Sequence, residues 1–185
     1  MDAQSFLIDA IPARSSVLIA GGGTGWILEE IAKKQPAGLH ITYVDASSKM
    51  MALAKRHSCG NNTITFITSQ VEDAGLAGVF DVVLTPFLFD NFSEDTMQKI
   101  FSVLDNLLAE NGIWLYSDFR NTDAVAHKAI LWSMYRFFGL ISGVEATRLP
   151  GTEACFAKHG YRAREQKTFM NGFVTSAIYE RYNTR

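Results

Sequence analysis

The stretch Val17-Leu18-Ile19-Ala20-Gly21-Gly22-Gly23-Thr24-Gly25-Trp26 runs from four apolar residues into four glycines in five positions. A short apolar run that ends in a turn signal is a buried strand. Glycine supplies positive φ and lets a backbone approach a ligand, because it carries no Cβ. Ile27, Leu28 and Ile31 then recur at helical spacing, which predicts a helix from about Thr24 to Gln35, ended by Pro36 and Gly38. Strand, glycine turn and helix in that order are how open α/β sheets build a nucleotide pocket, with the first helical amides facing the ligand. The dinucleotide pattern G-x-G-x-x-G needs a glycine where Trp26 stands. The spacing present is G-x-G-x-G, through Gly21, Gly23 and Gly25.

Downstream, Leu39, Ile41 and Tyr43 alternate along a second strand that delivers Asp45 at its carboxyl end. Asp45 stands at the offset from the glycines at which a carboxylate reaches ribose hydroxyls. Its alternative role is a helix cap, since Ser47 and Ser48 open a helix expected to run to His57. Thr63 to Thr68 predicts a third strand, followed by Gln70. Asp81 to Thr85 predicts a buried fourth strand that empties into Pro86-Phe87-Leu88-Phe89-Asp90-Asn91-Phe92, either a ligand-facing loop or a hydrophobic loop packed under the next helix.

That helix starts at Ser93-Glu94-Asp95 with a cap and two first-turn acids. Met97, Ile100, Phe101, Leu104, Leu107 and Leu108 form its apolar stripe, and Asn111-Gly112 is its expected stop. A fifth strand, Ile113 to Tyr116, leads to Asp118 and Arg120 at the sheet end where ligands collect. Between Asp123 and Ile141 a strongly apolar helical pattern includes Ile130, Leu131, Met134, Tyr135, Phe137 and Phe138, with His127 near the middle of the apolar arc. A short helix is expected over Thr152 to His159. Two β-prone runs, Tyr161 to Phe169 and Phe173 to Tyr182, are joined by Met170-Asn171-Gly172, a hairpin signal.

The G-x-G-x-G turn, the acid ending strand two and the terminal hairpin together resemble the class I S-adenosylmethionine (SAM)-dependent methyltransferases, over nearly the whole span from Val17 to about Tyr182. The resemblance implies a Rossmann-like methyltransferase fold: a doubly wound, seven-stranded, mostly parallel α/β sheet ending in a C-terminal antiparallel β-hairpin. It implies SAM as cofactor, met by Ala20, Gly21, Gly22, Gly23 and Gly25 at the turn and by Asp45 with Ala46 at the ribose. Gln70 with Val71 falls where the family bonds the adenine, although a solvent-facing loop glutamine is the alternative; Thr85 completes the set. One departure is Ile19, which stands where the family's usual pattern has an acid that helps to hold the amino-acid end of the cofactor.

The loop after strand four matches the family's boundary between cofactor and acceptor, and an inserted helix after strand five commonly roofs the acceptor. On that basis residues 121–150 are expected to form a helical substrate cap on a single domain spanning 1–185. Phe87, Phe89, His127, Leu131 and Tyr135 are the expected acceptor contacts. His127, Asp118 and Tyr135 are candidate bases, His127 alternatively being a satisfied helix histidine. The acceptor expected beside so many aromatics is small and apolar, aromatic or quinone-like. The 123–141 helix has a homodimer interface as its alternative role. Rival functions are a non-catalytic SAM-binding protein and a nicotinamide-dependent oxidoreductase, the latter disfavoured by Trp26 and the hairpin.

Composition limits the partners. The 185 residues fit one domain, with net charge -2 and no basic stripe for nucleic acid. Cys59 and Cys155 are far apart and outside any metal-binding spacing, so reduced thiols and no metal are expected. Met1-Asp2-Ala3-Gln4 has no leader pattern, and no apolar run approaches the length of a membrane span, so the expected compartment is the cytoplasm. Little chain precedes strand one, where the resembled family usually carries a longer segment that closes over the cofactor.

Overall fold

Residues 3–120 and 149–182 are described by a computed structural model. Its elements are α1 (Ala3–Ile8), β1 (Ser16–Ala20), α2 (Trp26–Lys34), β2 (Ala37–Asp45), α3 (Ser48–Ala54), β3 (Asn61–Thr68), β4 (Phe80–Pro86), α4 (Glu94–Leu107), β5 (Leu108–Phe119), α5 (Thr152–Lys158), β6 (Tyr161–Phe169) and β7 (Val174–Arg181). A single 3-10 turn, Phe89–Asn91, follows β4. The strands form one seven-stranded sheet in the order β3-β2-β1-β4-β5-β7-β6. The first five in that order pair in parallel, and β7 runs antiparallel to both β5 and β6. This is the expected doubly wound sheet closed by a hairpin, whose turn carries Met170, Asn171 and Gly172 in the left-handed region.

Alternation along the central strands divides the core in two. Val17 and Ile19 point to a layer built with α1, α2 and α3, where they meet Ile27, Leu28, Ile41 and Tyr43. Leu18 and Ala20 point to the other face, under α4 and α5. That second layer absorbs much of the aromatic content. Phe101 stacks on Trp114 at 4.6 Å, Trp114 meets Phe156 edge-on at 5.0 Å, and Phe156 stacks on Tyr179 at 3.8 Å. The expected stripe of α4 is buried through Met97, Ile100, Phe101, Leu104 and Leu107.

The expected end of α4 needs correction. The helix stops at Leu107, Leu108 is already extended, and Asn111-Gly112 lies inside a twelve-residue β5. Pairing there jumps from Phe80↔Leu108 to Val82↔Ile113, so the Asn-Gly pair forms an irregularity in the sheet and not a helix stop. A Cβ on Gly112 would come within 3.0 Å of the carbonyl oxygens of Ala109 and Asp81. At the other end of α4 the cap is as expected, the Ser93 side chain accepting the Thr96 N–H at 3.3 Å. Replacing Ser93 with alanine is expected to cost about 1 kcal/mol of stability, read as a lower urea midpoint at unchanged slope.

Candidate active site

Four segments gather at the carboxyl ends of adjacent parallel strands: Gly21–Gly25 after β1, Asp45 closing β2, residues 86–91 after β4, and Asp118–Arg120 after β5. β1 sits between β2 and β4, so the glycine turn lies at the switch point of the sheet, the place where such folds bind ligands.

The glycines are required for different reasons. A Cβ on Gly21 would lie 2.6 Å from Leu88 Cδ1, and one on Gly22 would enter the Tyr43 ring. Gly25 has φ +86° and its Cβ would lie 2.5 Å from the Ala54 Cα, so α2 starts in close contact with α3. Gly23, at φ +63°, differs: nothing stands within 4 Å of where its Cβ would be. Among the described residues no side chain caps α2, so its first amides remain available to a polar ligand group. The turn is therefore packed from below and open above Gly23.

Asp45 is oriented by the same turn. Its Oδ2 accepts the Gly23 N–H at 2.8 Å and its Oδ1 accepts the Ser47 N–H at 2.9 Å. The cap of α3 is Ser47, whose side chain accepts the Met50 N–H, so Asp45 is not the helix cap. A carboxylate has about four acceptor sites, and one per oxygen is left for a ligand. This suits a ribose diol. Ala46 and Gln70 are exposed beside it, while Val71 is buried with Ala20, Val44 and Leu88. Thr85 is fully buried and its Oγ1 accepts the Trp114 indole N–H at 3.0 Å, so its side chain serves the core.

The loop after β4 divides its aromatics. Phe89 is fully buried against Phe101, Trp114 and Tyr116, with no surface to offer an acceptor, because the 3-10 turn directs it under α4. Phe87 is half-buried in the left-handed region at φ 55°, a conformation that costs a bulky residue about 1–3 kcal/mol. Its ring lies 5.0 Å from Phe119, which lies 4.9 Å from Phe173. Phe87 and Phe119 form a half-buried aromatic shelf at the ligand end of the sheet, with the buried Phe173 behind it.

Asp118 is 2% exposed, and its carboxylate accepts the N–H groups of Phe89 (3.1 Å), Asp90 (3.2 Å) and Phe119 (2.9 Å). Three main-chain donors make it the anchor of the 88–91 turn and leave it poorly placed as a base. Asp90, also buried, takes one side-chain hydrogen bond, from Asn91 Nδ2 at 2.6 Å. Burial pushes the Asp118 carboxyl up to about 7, and burial together with the Asp118 charge pushes Asp90 well above the usual range. The three donors favour the ionised form at Asp118, so Asp90 carries the proton of the pair.

A native carboxyl raised in this way keeps its proton while the unfolded chain loses it. The contribution of this proton to stability is therefore full below the ordinary carboxyl range and falls as pH rises above that range. Asp90→Asn is expected to gain steadily in stability relative to the unsubstituted protein as pH rises above about 4, measured as urea midpoints at successive pH values.

Tyr43, Leu88 and Asp90 are site residues that sequence reasoning missed. Only Tyr43 left a signal, since it precedes Asp45 by two and shares its face of β2. His127, Leu131 and Tyr135, with the expected cap over 121–150 and interface over 123–141, lie outside the described residues. At the opposite end of the sheet, a polar concavity of about 420 Å³ is bordered by Glu110, Gly112, Arg162 and Arg181; Arg162 is paired with Glu180 and Arg181 with Asp105. No group of three or more His, Cys, Asp or Glu that could hold a metal occurs among the described residues. No described helix is long and apolar enough to cross a membrane.

The family model described as "Methyltransferase domain" matches residues 17–112, just over half the chain and the part that builds the glycine turn and Asp45. No curated protein matches the chain significantly. Among solved structures, the chain is similar to the N-methyltransferase NodS from Bradyrhizobium japonicum WM9 at 16% identity and TM-score 0.67, over 97% of this chain and 93% of that one. It is similar to the magnesium protoporphyrin IX methyltransferase from Synechocystis PCC 6803, solved with bound SAH, at 18% identity and TM-score 0.67, over 96% and 79%. A mycolic acid cyclopropane synthase complexed with SAH and CTAB gives 14% identity and TM-score 0.69; the match covers 91% of this chain and spans 63% of the synthase. At such identities the likeness is one of fold. The chain belongs to the methyltransferase domain family and has the fold of the class I SAM-dependent methyltransferases.

Proposed function

We propose that this chain binds SAM over the glycine turn and directs its methyl group to a small apolar acceptor, aromatic or quinone-like, above the ends of β4 and β5. The observation that carries the reading is the open space over Gly23 beside an already oriented Asp45. The ribose diol donates to the two free acceptor sites of Asp45, and Gln70, with Ala46 and Val71 near it, faces the adenine. Bound SAM supplies an electrophilic methyl group on a sulfonium. The protein's share is alignment, since an in-line displacement is accelerated mainly by holding donor and acceptor at the right distance and angle.

The half-buried pair Phe87 and Phe119 supports an apolar acceptor, for which aromatic walls with few polar groups are the ordinary surroundings. The 121–150 segment belongs to the same reading as a cap, with Leu131 against the acceptor and His127 and Tyr135 as candidate bases; homodimerisation through 123–141 is its alternative role. The free Cys59 and Cys155 support a cytoplasmic setting.

Incubation with methyl-labelled SAM and a panel of phenols, catechols and hydroquinones, beside polar amines and peptides, tests the acceptor class. Label in solvent-extractable aromatic products is expected. Label confined to the polar acceptors overturns that class. A non-catalytic binding role is favoured by one observation, the fully buried Ile19 in the acid's place; its signature is SAH binding with no label transferred to any acceptor.

A further inference from the structure

We propose that Tyr43 is a positioning residue for the cofactor, its phenol and the Asp45 carboxylate together holding Gly23 in the orientation that a ligand meets. The inference rests on the SAM reading above. Gly23 is the residue of the turn with nothing near its missing Cβ, so neighbouring bulk does not set its conformation. Two hydrogen bonds do so instead. Asp45 Oδ2 accepts the Gly23 N–H at 2.8 Å, and the Tyr43 hydroxyl donates to the Gly23 carbonyl at 2.9 Å. One bond restrains the peptide before the Gly23 Cα and the other the peptide after it, so φ and ψ are both fixed. Tyr43 and Asp45 are two apart on β2 and reach the turn from the same side.

The phenol is itself held in place. Tyr43 is fully buried, its ring fills the space that a Gly22 Cβ would enter, and Phe66 packs on it at 5.5 Å. Burial, with the Asp45 charge adding, raises its pKa, so the hydroxyl remains a donor throughout the neutral range. Across the sheet its register partner on β1 is Ile19, which has no polar atom to offer the turn. At the position where the resembled pattern has an acid, β1 is apolar here, and β2 supplies both side-chain bonds to Gly23.

Tyr43→Phe removes one oxygen and keeps the ring against Gly22 and Phe66. Its SAH affinity, measured by titration calorimetry, is expected to fall about 5- to 10-fold. Ser93→Ala, a cap variant on α4 remote from the turn, is expected to lose comparable stability and to keep SAH affinity within about twofold. Amide exchange at Gly23 and Thr24 in the ligand-free protein is expected to quicken in Tyr43→Phe alone. Unchanged affinity in Tyr43→Phe, with the unsubstituted chain binding SAH, overturns the inference and leaves the SAM reading standing. Equal weakening by Ser93→Ala also overturns it, since the loss then follows stability. Failure of the unsubstituted chain to bind SAH overturns the SAM reading, and the inference with it.

Discussion

Replacing Asp45 with alanine is expected to weaken SAM binding by about 2–4 kcal/mol, on the order of 30- to 1000-fold. Two contributions add. Hydrogen bonds from a ribose diol to a charged acceptor are lost, and the Gly23 N–H loses the oxygen that orients it at 2.8 Å. The asparagine variant separates charge from shape. Its amide presents one acceptor oxygen, whereas the carboxylate uses both oxygens on main-chain N–H groups, at Gly23 and Ser47. Turning the amide nitrogen towards either N–H opposes two donors, so Asp45→Asn is expected to lose most of the same affinity. Calorimetric titration with SAM, beside denaturant unfolding without ligand, measures both. Unchanged affinity in Asp45→Ala would remove Asp45 from the ribose site.

Gly25→Ala and Gly23→Ala are expected to diverge. At Gly25 a methyl group meets the backbone of α3, 2.5 Å from the Ala54 Cα, and no flexible side-chain end is there to move aside. Forcing α2 and α3 apart costs about 1–3 kcal/mol, and a side chain at φ +86° adds about 1–2 kcal/mol, for a total of roughly 2–5 kcal/mol. At Gly23 only the second cost applies, about 1–2 kcal/mol, because the added methyl points into open space. On the proposed reading that space receives the cofactor, so Gly23→Ala is expected to remain folded and to lose SAM. Urea denaturation and SAH titration of both variants provide the check. Equal destabilisation would refute the distinction between the packed and open sides of the turn.

Much of this was legible in the chain itself. The short apolar strand, the glycine spacing, the alternation leading to Asp45 and the Asn171-Gly172 turn are local signals, and each reappears in the seven-stranded sheet and its hairpin. The end of α4 was not legible, because Asn111-Gly112 reads equally well as a helix stop and as a sheet irregularity; the choice depends on pairing with β4, a non-local contact. Phe89 reads as an acceptor contact because it follows a strand in an aromatic loop, where alternation no longer says which way a side chain faces. The 3-10 turn sends it into the core and leaves Phe87 outside.

Asp118 stands at the expected end of its strand, but two of its three backbone partners, Phe89 and Asp90, come from the turn after β4, some thirty positions earlier. The role of Tyr43 is hidden in the sequence for a similar reason. An aromatic on a strand face reads as core, which it is, and its hydroxyl partner lies twenty residues upstream.

The most direct test of the central claim, that the glycine turn and Asp45 form a SAM site, is titration of the full chain with SAM, SAH and NAD in parallel. Binding of SAM and SAH with no measurable binding of NAD is the predicted result. NAD-selective binding, or no binding of either SAM or SAH, would contradict it.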